Sequence, residues 1–140
     1  MSKLFSIDPE KCPEVIPEIE FGIPEIHNKS WGQEVWITNN EDFCGKILKF
    51  NKGAKFSLHC HRLKREVFFL RVGRIKLTYV KMDTADFFER EINPGECIYI
   101  PAGQLHQIEA LEESEVIEFS TPHYSADSYR VFKGNSQGVK

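Results

Sequence analysis

The chain has 140 residues with a formal net charge of −3 and a sequence pI near 6.0, enough for a single domain with one hydrophobic core. That charge excludes a nucleic-acid surface, which needs a concentrated Lys/Arg excess to displace counterions, and the run Arg62-Leu63-Lys64-Arg65 is too short to supply one. No stretch approaches the roughly 18–20 apolar residues that span a bilayer, and Met1 to Ser6 lacks an apolar signal core, so a cytoplasmic protein without a membrane partner is expected.

In chain order, residues 1 to 30 come first, with Pro9, Pro13, Pro17 and Pro24 interrupting any regular element; this predicts an extended arm. From Trp31 the texture changes to short β-type runs: Glu34 to Thr38, Gly45 to Phe50, Phe56 to His61, Val67 to Val72, Arg74 to Lys81, Phe87 to Ile92, Glu96 to Ile100, His106 to Ala110 and Glu115 to Ser120. Turn residues separate them at Asn51-Lys52-Gly53, at Gly73 and at Asn93-Pro94-Gly95, while Asp83 to Asp86 reads as a helical turn or a longer loop. Nine such runs predict an all-β antiparallel sandwich or barrel over about residues 31–123, followed by a tail at 124–140 that frays from Lys133 onward. Cys12, Cys44, Cys60 and Cys97 form no CxxC pair, and reduced, structural thiols are expected. The arm and the open strand edges of such a barrel predict a homodimer.

Chemistry concentrates in two places. On an extended strand, residues two apart share a face, so His59 and His61 aim at a common point while Cys60 turns away. Glu66 follows after four charged or bulky residues, short enough for a hairpin to return it beside the pair. His106 comes just after Pro101-Ala102-Gly103, a sharp turn that delivers a fourth ligand from far along the chain. Three imidazoles and one carboxylate suit Mn, Fe, Co, Ni or Zn as one divalent ion per chain, and leave an octahedral ion two open positions.

These stretches resemble the two signature motifs of the cupin superfamily. The first reads Gly53, five residues, His59-Cys60-His61, four, Glu66, six, Gly73; the second reads Gly95, Pro101, Gly103 and His106, with Ala110 where the family carries Asn. The resemblance implies an antiparallel double-stranded β-helix, the jelly-roll cupin barrel, with His59, His61, Glu66 and His106 as metal ligands. Ala110 departs at a non-ligand position and affects only a local contact.

A narrower likeness follows from Lys64 two residues before Glu66 and from the ending Ile117-Glu118-Phe119-Ser120-Thr121-Pro122-His123 with Asp127 and Arg130. It is similar to the D-lyxose isomerase group and to small cupins of sugar-phosphate metabolism. That implies aldose–ketose interconversion on a sugar or sugar phosphate, through an enediolate that the metal stabilises. Glu118 is then the candidate base, since a carboxylate inside a barrel has a pKa suited to proton transfer. Lys64 would stabilise the enediolate and Arg130 would meet a phosphate through its planar fork, while Tyr79, Tyr99 and Trp36 are candidates to line the cavity. His123, just beyond the last strand, reads as a surface histidine, with an assisting place near the mouth as the alternative. An Fe(II)-dependent dioxygenase and a non-catalytic sugar- or small-ligand-binding module are the rival readings, separated from the first by oxygen consumption and by binding without turnover.

Overall fold

The computed structural model describes residues 10, 13–132 and 134, so Pro9, Cys12 and the end from Lys133, Gly134 apart, lie outside the described residues. The described residues form eleven strands: β1 (Glu25–Lys29), β2 (Gly32–Asn39), β3 (Cys44–Phe50), β4 (Leu58–Cys60), β5 (Glu66–Val72), β6 (Ile75–Lys81), β7 (Asp86–Ile92), β8 (Cys97–Ile100), β9 (His106–Ala110), β10 (Ser114–Ser120) and β11 (Tyr129–Phe132). They make two antiparallel sheets, one ordered β1-β2-β3-β10-β5-β8 and the other β11-β4-β9-β6-β7. All nine expected runs are present as strands, and residues 82–85 are a turn. Two further strands join them, β1 inside the segment read as an arm and β11 inside the segment read as a tail.

Period-two alternation fixes which side chains face inward. β3, β5, β9 and β10 bury every second residue, as their sequences require of half-buried strands. Along these strands the inward positions change character. On β3 they run Lys46, Leu48, Phe50; on β5, Glu66, Phe68, Leu70; on β9, His106, Ile108, Ala110. The apolar members join Trp31, Phe56, Ile75 and Val116 in one core, with Trp31 stacked on Phe50 at 4.5 Å between ring centroids. Phe68 is buried at its centre, and truncating such a residue to Ala costs about 3–5 kcal/mol. The polar members gather at the other end of the same space.

Two glycines have conformational work in this frame. Gly73 turns β5 into β6 at φ 93°, and a Cβ there would lie 2.4 Å from the Glu113 carbonyl oxygen, so no other residue fits. Gly103 has φ 85° and donates its amide N–H to the carbonyl of His61 at 2.6 Å, which ties the turn before β9 to the strand carrying the first two histidines. Ala110 is fully buried, and its main chain bonds to Gly53 and Ala54, so the missing Asn leaves the local backbone pairing in place.

Candidate metal centre and cavity

β4 and β9 pair with His59 opposite His106, and His61 follows β4 directly. The three imidazoles therefore meet: their candidate ligand atoms all lie within 4.8 Å of one another. Each ring is held the same way. Nδ1 of His59 faces the Ser57 carbonyl at 2.7 Å, Nδ1 of His106 faces the Gln104 carbonyl at 2.8 Å, and Nδ1 of His61 faces the Asp127 carbonyl. A carbonyl only accepts, so Nδ1 carries the proton in all three rings and Nε2 is left as a lone-pair donor. That is the tautomer a metal requires.

Glu66 enters from the first residue of β5. Its Oε1 lies 2.6 Å from Lys64 Nζ and 3.7 Å from His61 Nε2; its Oε2 lies 3.2 Å from His106 Nε2. With Nδ1 of His106 donating elsewhere, neutral Nε2 has no proton to offer that oxygen. Glu66 Oε2 and His106 Nε2 are in fact buried polar atoms without a hydrogen-bond partner. Two lone-pair atoms facing each other in the interior are costly unless a cation lies between them, and a divalent transition ion fits this donor set. Electrostatics agree. Burial drives the His59 imidazole down to about 3, with His106 and His61 adding to it, and burial likewise lowers His61, so both rings are neutral at neutral pH. Burial opposes ionisation of Glu66, and the Lys64 ammonium beside it acts the other way, holding the carboxyl below its usual range.

A cavity of about 290 Å³ opens over this cluster. Lys64 and Glu118, both buried, sit on its wall with Nζ 3.4 Å from Glu118 Oε2, so one ammonium bridges Glu66 and Glu118. Burial opposes the Lys64 charge, but Glu118 and Glu66 more than offset it and the ammonium is held above its ordinary pKa. Burial pushes the Glu118 carboxyl up, the Glu66 charge adds to it, and Lys64 and Lys46 oppose. Arg130 stands exposed at the rim, and Trp36 lines the wall.

Two expected wall residues lie elsewhere. Tyr99 is on the outer face of β8, 74% exposed, because Ile98 and Ile100 take the inward positions of that short strand. Tyr79 pairs with His106 across β6–β9 but packs against the apolar core and stacks on Phe88 at 5.5 Å.

Three side chains in the site make contacts that the sequence alone did not identify. His123, expected on the surface, lines the cavity with Nδ1 3.5 Å from Lys64 Nζ and its ring 5.1 Å from Trp36. Lys46 is almost wholly buried there. The signal was its phase, since Cys44, Lys46, Leu48 and Phe50 alternate onto the inward face. Asp127 accepts the main-chain N–H of Arg62 at 2.8 Å, Leu63 at 3.2 Å and Lys64 at 3.0 Å. Burial acts against its charge, and these amides prevail and lower its pKa.

The family model described as a cupin domain matches residues 46–121. The chain belongs to the cupin family. This cupin is 25% identical over 114 residues to oxalate decarboxylase OxdC of Bacillus subtilis, a match covering 76% of the present chain and 29% of OxdC. Among solved structures it is similar to the capsular polysaccharide assembling protein CapF of Staphylococcus aureus, with a TM-score of 0.71 at 18% identity over 80% of this chain and 33% of that one. KdgF from Halomonas sp. matches with a TM-score of 0.58 at 22% identity, over 67% of this chain and 81% of that one. The cupin thus spans about a third of the length of OxdC and of CapF, and these structural likenesses establish a shared fold. Among the described residues no helix is long and apolar enough to cross a membrane.

Proposed function

We propose that this cupin is a metal-dependent sugar or sugar-phosphate isomerase. The reading is carried by one observation: the buried Lys64 ammonium lies between the candidate ligand Glu66 and the candidate base Glu118, beside three imidazoles oriented for a metal. His59, His61, His106 and Glu66 would hold one divalent ion of the Mn, Fe, Co, Ni or Zn type. When bound, that ion supplies Lewis-acid polarisation of a carbonyl and its neighbouring hydroxyl.

The chain's own groups do the rest. Glu118, with its proton affinity raised by burial, takes the proton from the carbon beside the carbonyl and returns it to the former carbonyl carbon, while the proton of the neighbouring hydroxyl passes to the former carbonyl oxygen. Lys64 supplies a fixed positive charge against the oxyanion that develops as that proton leaves. Trp36 and the apolar floor at Phe68 keep water from the reacting carbons, and Arg130 meets the substrate at the rim. Metal analysis of the purified protein, then a screen over pentoses, hexoses and their phosphates with Mn(II), tests the reading. About one ion per chain with aldose–ketose turnover is expected; a fully loaded protein that turns over no sugar overturns it.

The same reading places the protein in the cytoplasm, consistent with Cys44, Cys60 and Cys97 being free thiols. A homodimer is proposed on separate grounds. The outer face of the six-stranded sheet carries two adjacent apolar rows, Tyr99-Val67-Phe119 and Cys97-Phe69-Ile117-Ile47-Val35-Ile26, each in register across the strands. The chain before β1 carries Ile19, Phe21 and Ile23, each more than 80% exposed and alternating with Glu18, Glu20 and Gly22. This apolar arm runs directly into the edge strand of that same sheet. A second copy related by a twofold axis would give each arm an apolar face to cover.

A further inference from the structure

The wall of the cavity formed by β2, β3 and β10 holds a cation that the chemistry above does not use. Lys46 is 1% exposed and projects from β3 between two cross-strand neighbours in the same row, Trp36 on β2 and Glu118 on β10. Its Nζ lies over the Trp36 ring, 4.1 Å from the centroid. The carboxylate oxygen it approaches, Glu34 Oε1, is 3.7 Å away, longer than a hydrogen bond. Glu34 is engaged elsewhere: its Oε2 lies 3.5 Å from Lys29 Nζ and 3.4 Å from Trp36 Nε1. An ammonium has three donors and is expensive to bury without acceptors. Lys46 thus has an ion pair with Glu34 Oε1 and a cation–π contact with Trp36 but no side-chain hydrogen bond among the described residues, which leaves its donors to a ligand on the wall of a small-molecule cavity.

The charge balance of that cavity points the same way. Glu34, Glu66 and Glu118 face Lys29, Lys46, Lys64 and Arg130 around one space, and a divalent ion on the histidines would add two further positive charges. A neutral ligand leaves this excess uncompensated. An anionic one offsets it.

We propose that Lys46 is an anion-recognition residue that binds the carboxylate or phosphate group of an acidic sugar. The indole beneath Nζ holds the ammonium in place through its ring face, so little side-chain freedom is lost on binding. Glu118 lies beside Lys46 across β3–β10, and the ligand's charged end is thus fixed next to the group that moves the proton. The inference rests on the sugar-isomerase reading for the ligand's scaffold alone; the recognised chemistry is the anion.

The test measures binding, so it separates from turnover. Metal-loaded protein is titrated calorimetrically with a neutral hexose, a hexuronate and a hexose 6-phosphate, in wild type and in Lys46→Met, with metal content measured for both. In wild type at least one acidic sugar binds at least 10-fold tighter than the neutral hexose, and which one distinguishes a carboxylate from a phosphate. Lys46→Met removes that preference and leaves metal content and neutral-sugar affinity unchanged. Equal affinity for charged and neutral sugars in wild type, or an undiminished preference in Lys46→Met, overturns the proposal. Should Lys46→Met not fold, a lysine ε-carbon chemical-shift titration of the wild type with inorganic phosphate reads the group directly. A saturable shift at Lys46 supports the site, and no shift there overturns it. Acidic-sugar binding through Lys46 without isomerisation would leave this inference standing and sink the isomerase reading.

Discussion

His61 and Asp127, 66 residues apart, hold one another twice: the ring Nδ1–H of His61 donates to the Asp127 carbonyl, and the Asp127 carboxylate accepts the amides that immediately follow His61. One residue after β10 thus sets both the rotation of a ligand ring and the path of the turn leading to Glu66. The consequence for Asp127→Ala is specific. Three buried or half-buried amides lose their acceptor, at about 1–3 kcal/mol for each group left unsatisfied. The Asp127 carbonyl that orients the His61 ring stays in this variant, so metal affinity is expected to fall by only about 10-fold, the lower end of the usual loss for an outer partner, through the loosened path to Glu66. Chelator competition alongside thermal melting checks both, and wild-type values in the two would remove the clamp from the account.

His61→Ala deletes a ligand outright. Elemental analysis should show metal occupancy falling sharply, with an affinity loss larger than the roughly 100-fold that loss of an orienting partner alone brings and the circular-dichroism signature of the β-sandwich retained. Undiminished metal in the folded variant would mean that the three imidazoles are not the site.

Glu118→Gln keeps shape and removes the proton carrier. Isomerisation should fall about 10²–10⁴-fold, the ordinary contribution of general acid–base catalysis, with metal content unchanged. Lys64→Met acts differently, because it leaves Glu66 and Glu118 as buried carboxylates without their shared cation. Removing one member of a buried pair costs about 3–5 kcal/mol, so this variant should melt far lower as well as lose turnover. Full activity in both would move the proton transfer to other residues.

Acid stability should decline in two separate windows. Burial, with Lys46 and Lys64 adding to it, holds the folded His123 imidazole at about 4 against 6.5 when unfolded. The unfolded chain therefore binds the extra proton first as pH falls, so stability from His123 is complete above pH 6.5 and is lost progressively towards pH 4. Asp127 has a depressed carboxyl, and its contribution is present above its unfolded value of 3.8 and lost only below it. Melting temperatures from pH 7 down to 5 should fall less steeply in His123→Phe, the remaining slope belonging to His59 and His61, whose imidazoles burial also depresses, and should keep their slope in Asp127→Asn; the reverse pattern would exchange the two assignments.

Light scattering should give a dimer mass for the full chain. Replacing Ile19, Phe21 and Ile23 together with Ser, or Phe119 with Glu, should give monomers that retain the bound metal. A monomeric wild type at micromolar concentration would leave the apolar arm and sheet face without the partner assigned to them.

What could be read beforehand followed from local periodicity. Strands such as β3, β5 and β10 have one dry face and advertise it every second residue, and the ligand spacing is itself local. β1 and β11 carry no such signal: both are edge strands exposed along nearly their whole length, and the prolines preceding β1 dominate its surroundings. Tyr99 was misplaced although its phase between Ile98 and Ile100 already turned it outward. The position of His123 and the clamp at Asp127 were beyond reach for a different reason, since their contacts join segments about sixty residues apart and those of Asp127 use main-chain amides that any sequence possesses.

Each Nδ1 at the centre faces a peptide oxygen, from residues 57, 104 and 127, with the Ser57 hydroxyl a further contact of His59 at 3.3 Å. Single replacements at those positions swap a side chain and keep the oxygen, so they cannot invert an imidazole's proton. Evolution at this centre is consequently confined to exchanging ligands or bending loops; the rings' electronic character is inherited with the backbone and lies largely beyond the reach of point mutation.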